Sequence, residues 1–455
     1  MSGPLPDSEG AGDQRTTAAR ALGNPSPQDP LPARSGKDAT PAPDEPVPDY
    51  PMLDYPTDGV PPLTDTPQAY RVAHERLASG QGPLALDTER AHGFRYSPKA
   101  YLIQLRRAGA GTVLLDPIAL SEGRPRADFS ALASDLADVE WIIHAATQDL
   151  PCLAEVGLVP QHLFDTELAA RLLNLPKVNL SAVMELALGV GLRKAHSADD
   201  WSTRPLPSDW LVYAALDVER LADLRDWLDD QLVQAGKREW AAQEFAHLVE
   251  HASDIQHFRT ESWRRTSGIH EVHSRRGLQV VRDLWERRDA IAAATDSAPG
   301  RVLPDRAIIA LATMFDGDEP QVTAGLLRRL PGYWMRRAWP YERDWVDALR
   351  RAASRPKGDL PPRTAAHEGP PPPRLWEGRR PQCYARWNRV RPALVKLADE
   401  LAVPLENLVA PDAIRSLLWD SPDATSPVQI DGRLAALDVR PWQRDLVTPV
   451  IAASW

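Results

Sequence analysis

Apolar residues packed into short strand-like runs cluster in one stretch of this chain, and that clustering confines where a sheet can form. Between residues 83 and 120 three runs follow one another, "LALD", "AYLIQLRR" and "TVLLD", with Gly109 and Gly111 between the last two. Such runs, rich in Leu, Ile, Val and Tyr and separated by glycine, read as a strand followed by a hairpin. The segment "FSALASDLADV" has helical spacing and leads to a fourth run, "WIIHA", after which helices follow. Upstream, "TPQAYRVAHERLA" reads as an amphipathic helix opened by Thr66 as cap and Pro67 in its first turn. Strands first, then strands alternating with helices, indicate an α/β core over residues 65–235, a mixed sheet flanked by helices.

Beyond residue 235 the pattern is helical almost throughout. It divides into two all-α modules, 236–354 with a leading helix and 376–455, on either side of "RPKGDLPPRTAAHEGPPPPRL". That Pro-rich segment, 355–375, reads as a semi-rigid linker. At the other end, residues 1–50 hold ten prolines against six of Met, Leu, Val or Tyr. Too little apolar surface is available there to offset the entropy of ordering, so residues 1–64 are expected to form a disordered tail.

Bulk composition removes several classes. The net charge of −10 gives no general attraction to nucleic acid or an acidic membrane, so any such contact needs a local basic patch. The two cysteines, Cys152 and Cys383, are too few for a disulfide framework or a Cys-rich zinc site and suit a reducing compartment. No apolar run of about 18 residues occurs, so no membrane span is expected. The first residues, "MSGPLPDSEGAGDQRTTAAR", lack the basic and apolar segments of a signal peptide. A cytoplasmic location is expected.

Four acids carry the functional argument. Asp87 and Glu89 end the first strand, and strand alternation sends both to one face, where they repel unless a positive charge lies between them. Asp149 follows the strand "WIIHA" at a strand-to-helix transition. Asp217 lies on the helix "DWLVYAALDVERL" at the margin of an apolar arc, with Tyr213 one turn earlier on the same face. A cluster of carboxylates suits hard, oxygen-seeking ions such as Mg²⁺ or Mn²⁺. Two such ions about 4 Å apart grip a phosphodiester, one activating water and the other stabilising the departing 3′ oxygen. Singly, each acid also has a structural explanation: Asp149 as a helix cap, Asp217 as the partner of Arg220. "FDTEL" repeats the D-T-E string but opens a helix, which makes Asp165 an N-cap and Glu167 a first-turn acid.

Taken in order, these residues resemble the ribonuclease D family, the tyrosine subclass of the DEDD superfamily of 3′→5′ exonucleases. Asp87 and Glu89 match its first motif, D-x-E, followed by "YLIQL". His144 and Asp149 match the second, a strand-ending His with an Asp five residues on. Tyr213 and Asp217 match the third, Y-x-x-x-D. Upstream of it, "KAHSADDWSTRPL" is similar to the family's K-x-x-x-x-x-D-W-x-x-R-P-L segment, with His196, Ala198 and Asp199 where the family more often has Glu, Arg and Ser. The stretch from "WRRTSGIHEVHSRRGLQVVRDLW" resembles a helicase-and-ribonuclease-D C-terminal (HRDC) domain, and 376–455 resembles a second one.

The resemblance implies a ribonuclease-H-like exonuclease core with two divalent ions, Mg²⁺ or Mn²⁺, held by Asp87, Glu89, Asp149 and Asp217. Tyr213 would orient the attacking water, since a free phenol with a pKa near 10 makes a poor base, and His144 would be structural. The implied substrate is an RNA 3′ end, such as that of a tRNA precursor, and the product a nucleoside 5′-monophosphate. A DNA 3′→5′ exonuclease is one alternative; an inactive nucleic-acid-binding scaffold is another, disfavoured because all four acids and the tyrosine are present. Phe94 and Gln104, near the first motif, are candidates for contacting terminal nucleotides or for structural roles. Residues 261–290 hold seven Arg against five acids. Arg264, Arg265, Arg275 and Arg276 are candidates for phosphate contact or for a solvated helix face.

Overall fold

A computed structural model describes residues 50–192, 196–252, 262–317, 320–330, 338–364 and 369–455. The expected tail up to residue 49, and Lys194 of the segment before the third motif, lie outside the described residues.

The central sheet has six strands in the order β2–β5–β4–β3–β6–β7. In chain order the strands are β1 (Met52–Leu53), β2 (Leu63–Thr64), β3 (Gln81–Arg90), β4 (Ala100–Ala108), β5 (Gly111–Leu115), β6 (Glu140–Ile143), β7 (His162–Asp165) and β8 (Gly191–Leu192). β3, β4 and β5 run antiparallel, whereas β6 lies parallel to β3, and β7 to β6. The β4–β5 hairpin turns at Gly109 and Gly111, whose φ values of 79° and 73° are ones that a side chain would disfavour. The α/β expectation holds, with strands added that the sequence pattern did not suggest. β7 is only four residues long and merges into the helix that "FDTEL" opens; β1, β2 and β8 have two residues each. β2 joins the central sheet at β5, and β1 pairs with β8 as a separate two-stranded sheet, so residues 52–53 and 63–64 are held by strand pairing. The expected tail therefore stops short of residue 64, because backbone hydrogen bonds to a sheet edge substitute for the missing apolar side chains.

Around the sheet lie α1 (Pro67–Ser79), α2 (Ser130–Asp135), α3 (Leu150–Ala154), α4 (Thr166–Leu172), α5 (Leu180–Leu188), α6 (Ser208–Glu219) and α7 (Leu221–Gln234). Thr66 caps α1, its hydroxyl accepting from Ala69 N at 3.2 Å. Leu84, Leu86, Leu105, Leu115, Trp141 and Ile143 form the buried centre with residues of α5 and α7.

The helix α8 (Arg238–Glu250) corrects the expected domain boundary. Rather than leading the module 236–354, it packs against β7 and the C-terminal module. Phe245 meets Phe164 with ring centroids 4.9 Å apart, and Trp240 stacks on Trp442 at 4.7 Å. Glu244 accepts from Trp442 Nε1 at 2.8 Å and from Arg440 at 2.9 and 3.0 Å. Lys237 Nζ, at the start of α8, donates to Leu172 O and Ala402 O, both at 2.8 Å. The apolar face of α8 finds its complement on both sides of this seam, and the nuclease core and the C-terminal module share one continuous hydrophobic cluster.

The first helical module has a separate core around α9 (Arg275–Thr295), with Leu284, Ile308, Phe315, Trp345 and Leu349. It docks on the loop after β3: Ala298 N donates to Phe94 O at 3.0 Å and Ser97 N to Asp296 Oδ1 at 2.9 Å. The expected linker is held at both described ends, with Arg264 reaching Pro362 O at 3.1 Å and Trp376 Nε1 reaching Pro371 O at 2.6 Å. Among the described residues, no helix is long and apolar enough to cross a membrane.

Candidate active site

β3 lies between β4 and β6, and its C-terminal end delivers Asp87 and Glu89 to one face of the sheet. α6 crosses against β3 and β4. It brings in Asp217, with Tyr213 one turn earlier, its hydroxyl close enough to favour the Asp217 carboxylate. One oxygen from each of Asp87, Glu89 and Asp217 lies within 4.8 Å of the others.

Asp149 approaches from β6 through a sharp turn in which Ala145 adopts φ 61°. Asp165 holds that turn: its carboxylate accepts from Ala145 N at 3.1 Å and Ala146 N at 2.9 Å while capping α4 through Glu167 N and Leu168 N. Asp149 stands outside the group of three mutually close carboxylates. Its Oδ1 accepts from Thr88 Oγ1 at 2.7 Å and lies 3.7 Å from Arg90 Nη2, yet its charge is felt by both Asp87 and Glu89. His144 Nδ1 pairs with Thr166 Oγ1 at 2.9 Å, and burial lowers its pKa to about 4. The imidazole is therefore neutral at pH 7, tied to the start of α4 and not to the acids.

The acids sit where burial opposes their charge. Burial and then neighbouring carboxylates hold Asp87 and Glu89 well above the ordinary carboxylate range. Asp217 is raised to about 7 by burial, opposed by the neighbouring Tyr213 hydroxyl. Asp149 is raised to about 6, again by burial, opposed by Arg90 and Thr88. A pocket in this state attracts positive charge, and its all-oxygen donor set fits a hard divalent cation better than a soft one. Burial, followed by the charges of Asp217, Glu89 and Asp87, drives the Tyr213 phenol upward, so it stays a neutral donor.

The remaining candidates fall into different places. Gln104 is wholly covered on β4, in register with Asp87, and neither of its amide atoms has a partner. It lines the sheet beneath the acids and is not placed to meet a nucleotide. The Phe94 ring lies under the Arg301 guanidinium, 4.1 Å from its centroid, at the junction with the first helical module. Arg275 donates to Leu360 O and Pro361 O, and Arg276 to Ala352 O and Arg355 O, so both are engaged in holding the start of the linker against their own module. Arg264 lies 4.2 Å above the Trp263 ring and donates to Pro362 O. Arg265 is exposed with no partner among the described residues. The guanidinium fork suits carbonyl oxygens at chain ends as well as phosphates, and a sequence does not distinguish the two uses.

Three residues that support the acids had not been singled out: Thr88, Arg90 and Arg204. The first two flank Glu89 and were legible from position alone. Arg204, in the "RPL" string, grips buried Asp116 at 2.8 and 2.9 Å and Tyr101 O at 2.8 Å, which anchors the loop leading into α6.

The family model described as 3′-5′ exonuclease matches residues 63–233, and one described as 3′ to 5′ exonuclease C-terminal domain matches residues 369–454. The sheet, the converging acids and these two matches define a 3′→5′ exonuclease. Ribonuclease D of Acidiphilium cryptum is 31% identical over 268 residues, covering 58% of this chain and 66% of that protein. A crystal structure of a protein from Bifidobacterium adolescentis aligns with TM-score 0.79 and 36% identity over 89% of this chain and 99% of that one. Escherichia coli RNase D, described as an exoribonuclease involved in structured RNA processing, shares the fold. Its TM-score is 0.60 at 21% identity, over 86% of this chain and 98% of that one. This chain belongs to the ribonuclease D family of 3′→5′ exoribonucleases.

Proposed function

We propose that this enzyme trims the 3′ ends of structured RNA, tRNA precursors among them, with two divalent ions, Mg²⁺ or Mn²⁺, and releases nucleoside 5′-monophosphates in the cytoplasm. The carrying observation is the approach of Asp87, Glu89 and Asp217 to within 4.8 Å, with Asp149 beside them. In this reading Asp87, Glu89 and Asp217 would hold one ion, and Asp149, whose charge acts on Asp87 and Glu89, would serve the other. When bound, the ions supply Lewis-acid polarisation of the phosphodiester and acidify a water. The protein's own residues do the positioning. Tyr213, a neutral phenol beside Asp217, offers its hydroxyl oxygen to the attacking water and aligns it, while Thr88 and Arg90 fix Asp149. Arg265, exposed on the first helical module, is the remaining basic candidate for a phosphate of the incoming strand.

The test is digestion of 3′-labelled tRNA carrying a 3′ extension, beside an unstructured oligomer and a DNA of the same sequence, with Mn²⁺ or Mg²⁺. Stepwise release of 5′-monophosphates from the tRNA, abolished by Asp87→Ala and by Asp217→Ala, is expected. Preferential degradation of the DNA, or binding of the RNA without cleavage, would overturn the assignment.

A further inference from the structure

We infer a second metal site, unrelated to the acid pocket, at the end of α8, where His247, Glu250 and His251 form a binding site for a borderline-soft divalent ion such as Zn²⁺. The spacing i, i+3, i+4 puts all three on one helical face. Their potential ligand atoms lie within 4.8 Å of one another, and the two imidazole centroids are 4.2 Å apart. Tetrahedral zinc, with ligand bonds of about 2.0–2.1 Å, requires donors roughly 3.3 Å apart. Small rotamer changes of half-exposed side chains close that difference.

The surroundings are those a zinc ligand needs. A metal-binding histidine ordinarily engages its second nitrogen with a carbonyl or a carboxylate, which fixes the ring and raises its basicity. Here His251 Nδ1 is 2.9 Å from His247 O, and His247 Nε2 is 3.2 Å from Asp438 Oδ2. Each ring keeps its other nitrogen for an ion. Two imidazoles and a carboxylate favour zinc over Mg²⁺, in contrast to the all-oxygen acid pocket. The end of a helix, where carbonyl oxygens are exposed, adds a favourable field for a cation.

Asp438 belongs to the turn just before the last helix, Pro441–Ala453, and so comes from the C-terminal module. An ion at this place clamps α8 to that module through His247, beside the Arg440–Glu244 pair and the Trp240–Trp442 stack. The site is thus a structural staple at the seam between the nuclease core and the C-terminal helices.

Zinc titration of the chelator-stripped full chain tests this, with Asp217→Asn as background to weaken uptake by the acid pocket. One zinc equivalent and a rise in Tm are expected. His251→Ala should remove both, and Glu250→Gln should weaken binding at least about tenfold. Cobalt in place of zinc should give tetrahedral absorption bands that His251→Ala eliminates. Glu250 is exposed, so its substitution leaves the fold intact and keeps the test decisive. Unchanged zinc stoichiometry in both variants, or no bound zinc in the parent at micromolar concentration, would overturn the site.

Discussion

Thr88 Oγ1 donates to Asp149 Oδ1 at 2.7 Å, so the residue between the two acids of the first motif holds the acid of the second. The bond joins the C-terminal end of β3 to the turn after β6, and Arg90 adds a cation 3.7 Å from the same oxygen. Asp149 thereby has one orientation without touching the other three acids. Thr88→Val keeps the shape and removes the donor. A 10–100-fold loss of exonuclease rate is expected, with a weaker apparent affinity for Mn²⁺ and an unchanged fold. Rate against Mn²⁺ concentration for the two proteins checks it, and equal curves would show that Thr88 only fills space.

Asp217 and Tyr213 separate in their roles. Asp217→Asn removes a charge from the three-carboxylate group, and a loss of at least about a hundredfold in kcat is expected. Tyr213→Phe keeps the ring against Trp201 and His196 and deletes only the hydroxyl. About a hundredfold fall in kcat with unchanged RNA affinity is expected for it. Single-turnover cleavage and binding, measured separately, decide the matter; a tyrosine that mainly bound RNA would shift the affinity instead.

How far the sequence could be read depended on the range of the interaction. The strand-hairpin at 83–120, the Thr66 cap and the Tyr213–Asp217 pair are local, and period and spacing expose them. The site of α8 in the fold was not legible, because Trp240 and Trp442 meet across about two hundred residues of chain and no pattern in either segment names the other. The two-residue strands escaped for a different reason: their order comes from backbone pairing with a distant segment of chain, which leaves little trace in side-chain composition. Arg275 and Arg276 looked like phosphate ligands because charge is visible in a sequence, whereas the carbonyl groups they serve are not.

Arg265 and Arg276 give opposite outcomes. Arg265 is exposed without a described partner, so Arg265→Ala should weaken RNA binding evenly across sequences and flatten the salt dependence by about one charge. Arg276 closes on Ala352 O and Arg355 O at 2.7 and 2.6 Å. Arg276→Ala leaves two half-buried carbonyls without this donor and should cost about 1 kcal/mol of stability with little change in the salt slope. Filter binding over a salt series and chemical denaturation of both variants distinguish them.

Trp442 is the hinge of the seam with the C-terminal module: 3% exposed, stacked on Trp240 and bonded to Glu244 Oε1. Trp442→Ala opens a cavity and removes a buried hydrogen bond, with an expected cost of about 3–5 kcal/mol. Because the hydrophobic cluster runs on from the module into the nuclease core, both should unfold together. A single denaturation transition at lower denaturant is the expected result, and two separated transitions would show the module to be independent.

Stability without divalent ions should fall as pH rises. Asp149 and Asp217 have folded pKa values of about 6 and about 7, above the roughly 3.9 of an unfolded aspartate. Between about pH 4 and 7 the native state therefore holds more protons than the unfolded chain, and raising the pH through that window favours unfolding. Below about pH 4 both states are protonated at these groups and the effect vanishes. Ion-free protein should melt at a higher temperature at pH 5.5 than at pH 8. A divalent ion that favours the ionised carboxylates should raise Tm strongly at pH 8 and weakly at pH 5.5, and Asp217→Asn should reduce both the pH slope and the metal-induced gain. Scanning calorimetry of the two proteins with chelator and with Mn²⁺ measures all of these; a Tm that rises with pH in the ion-free protein would show that the buried acids do not carry protons as their surroundings require.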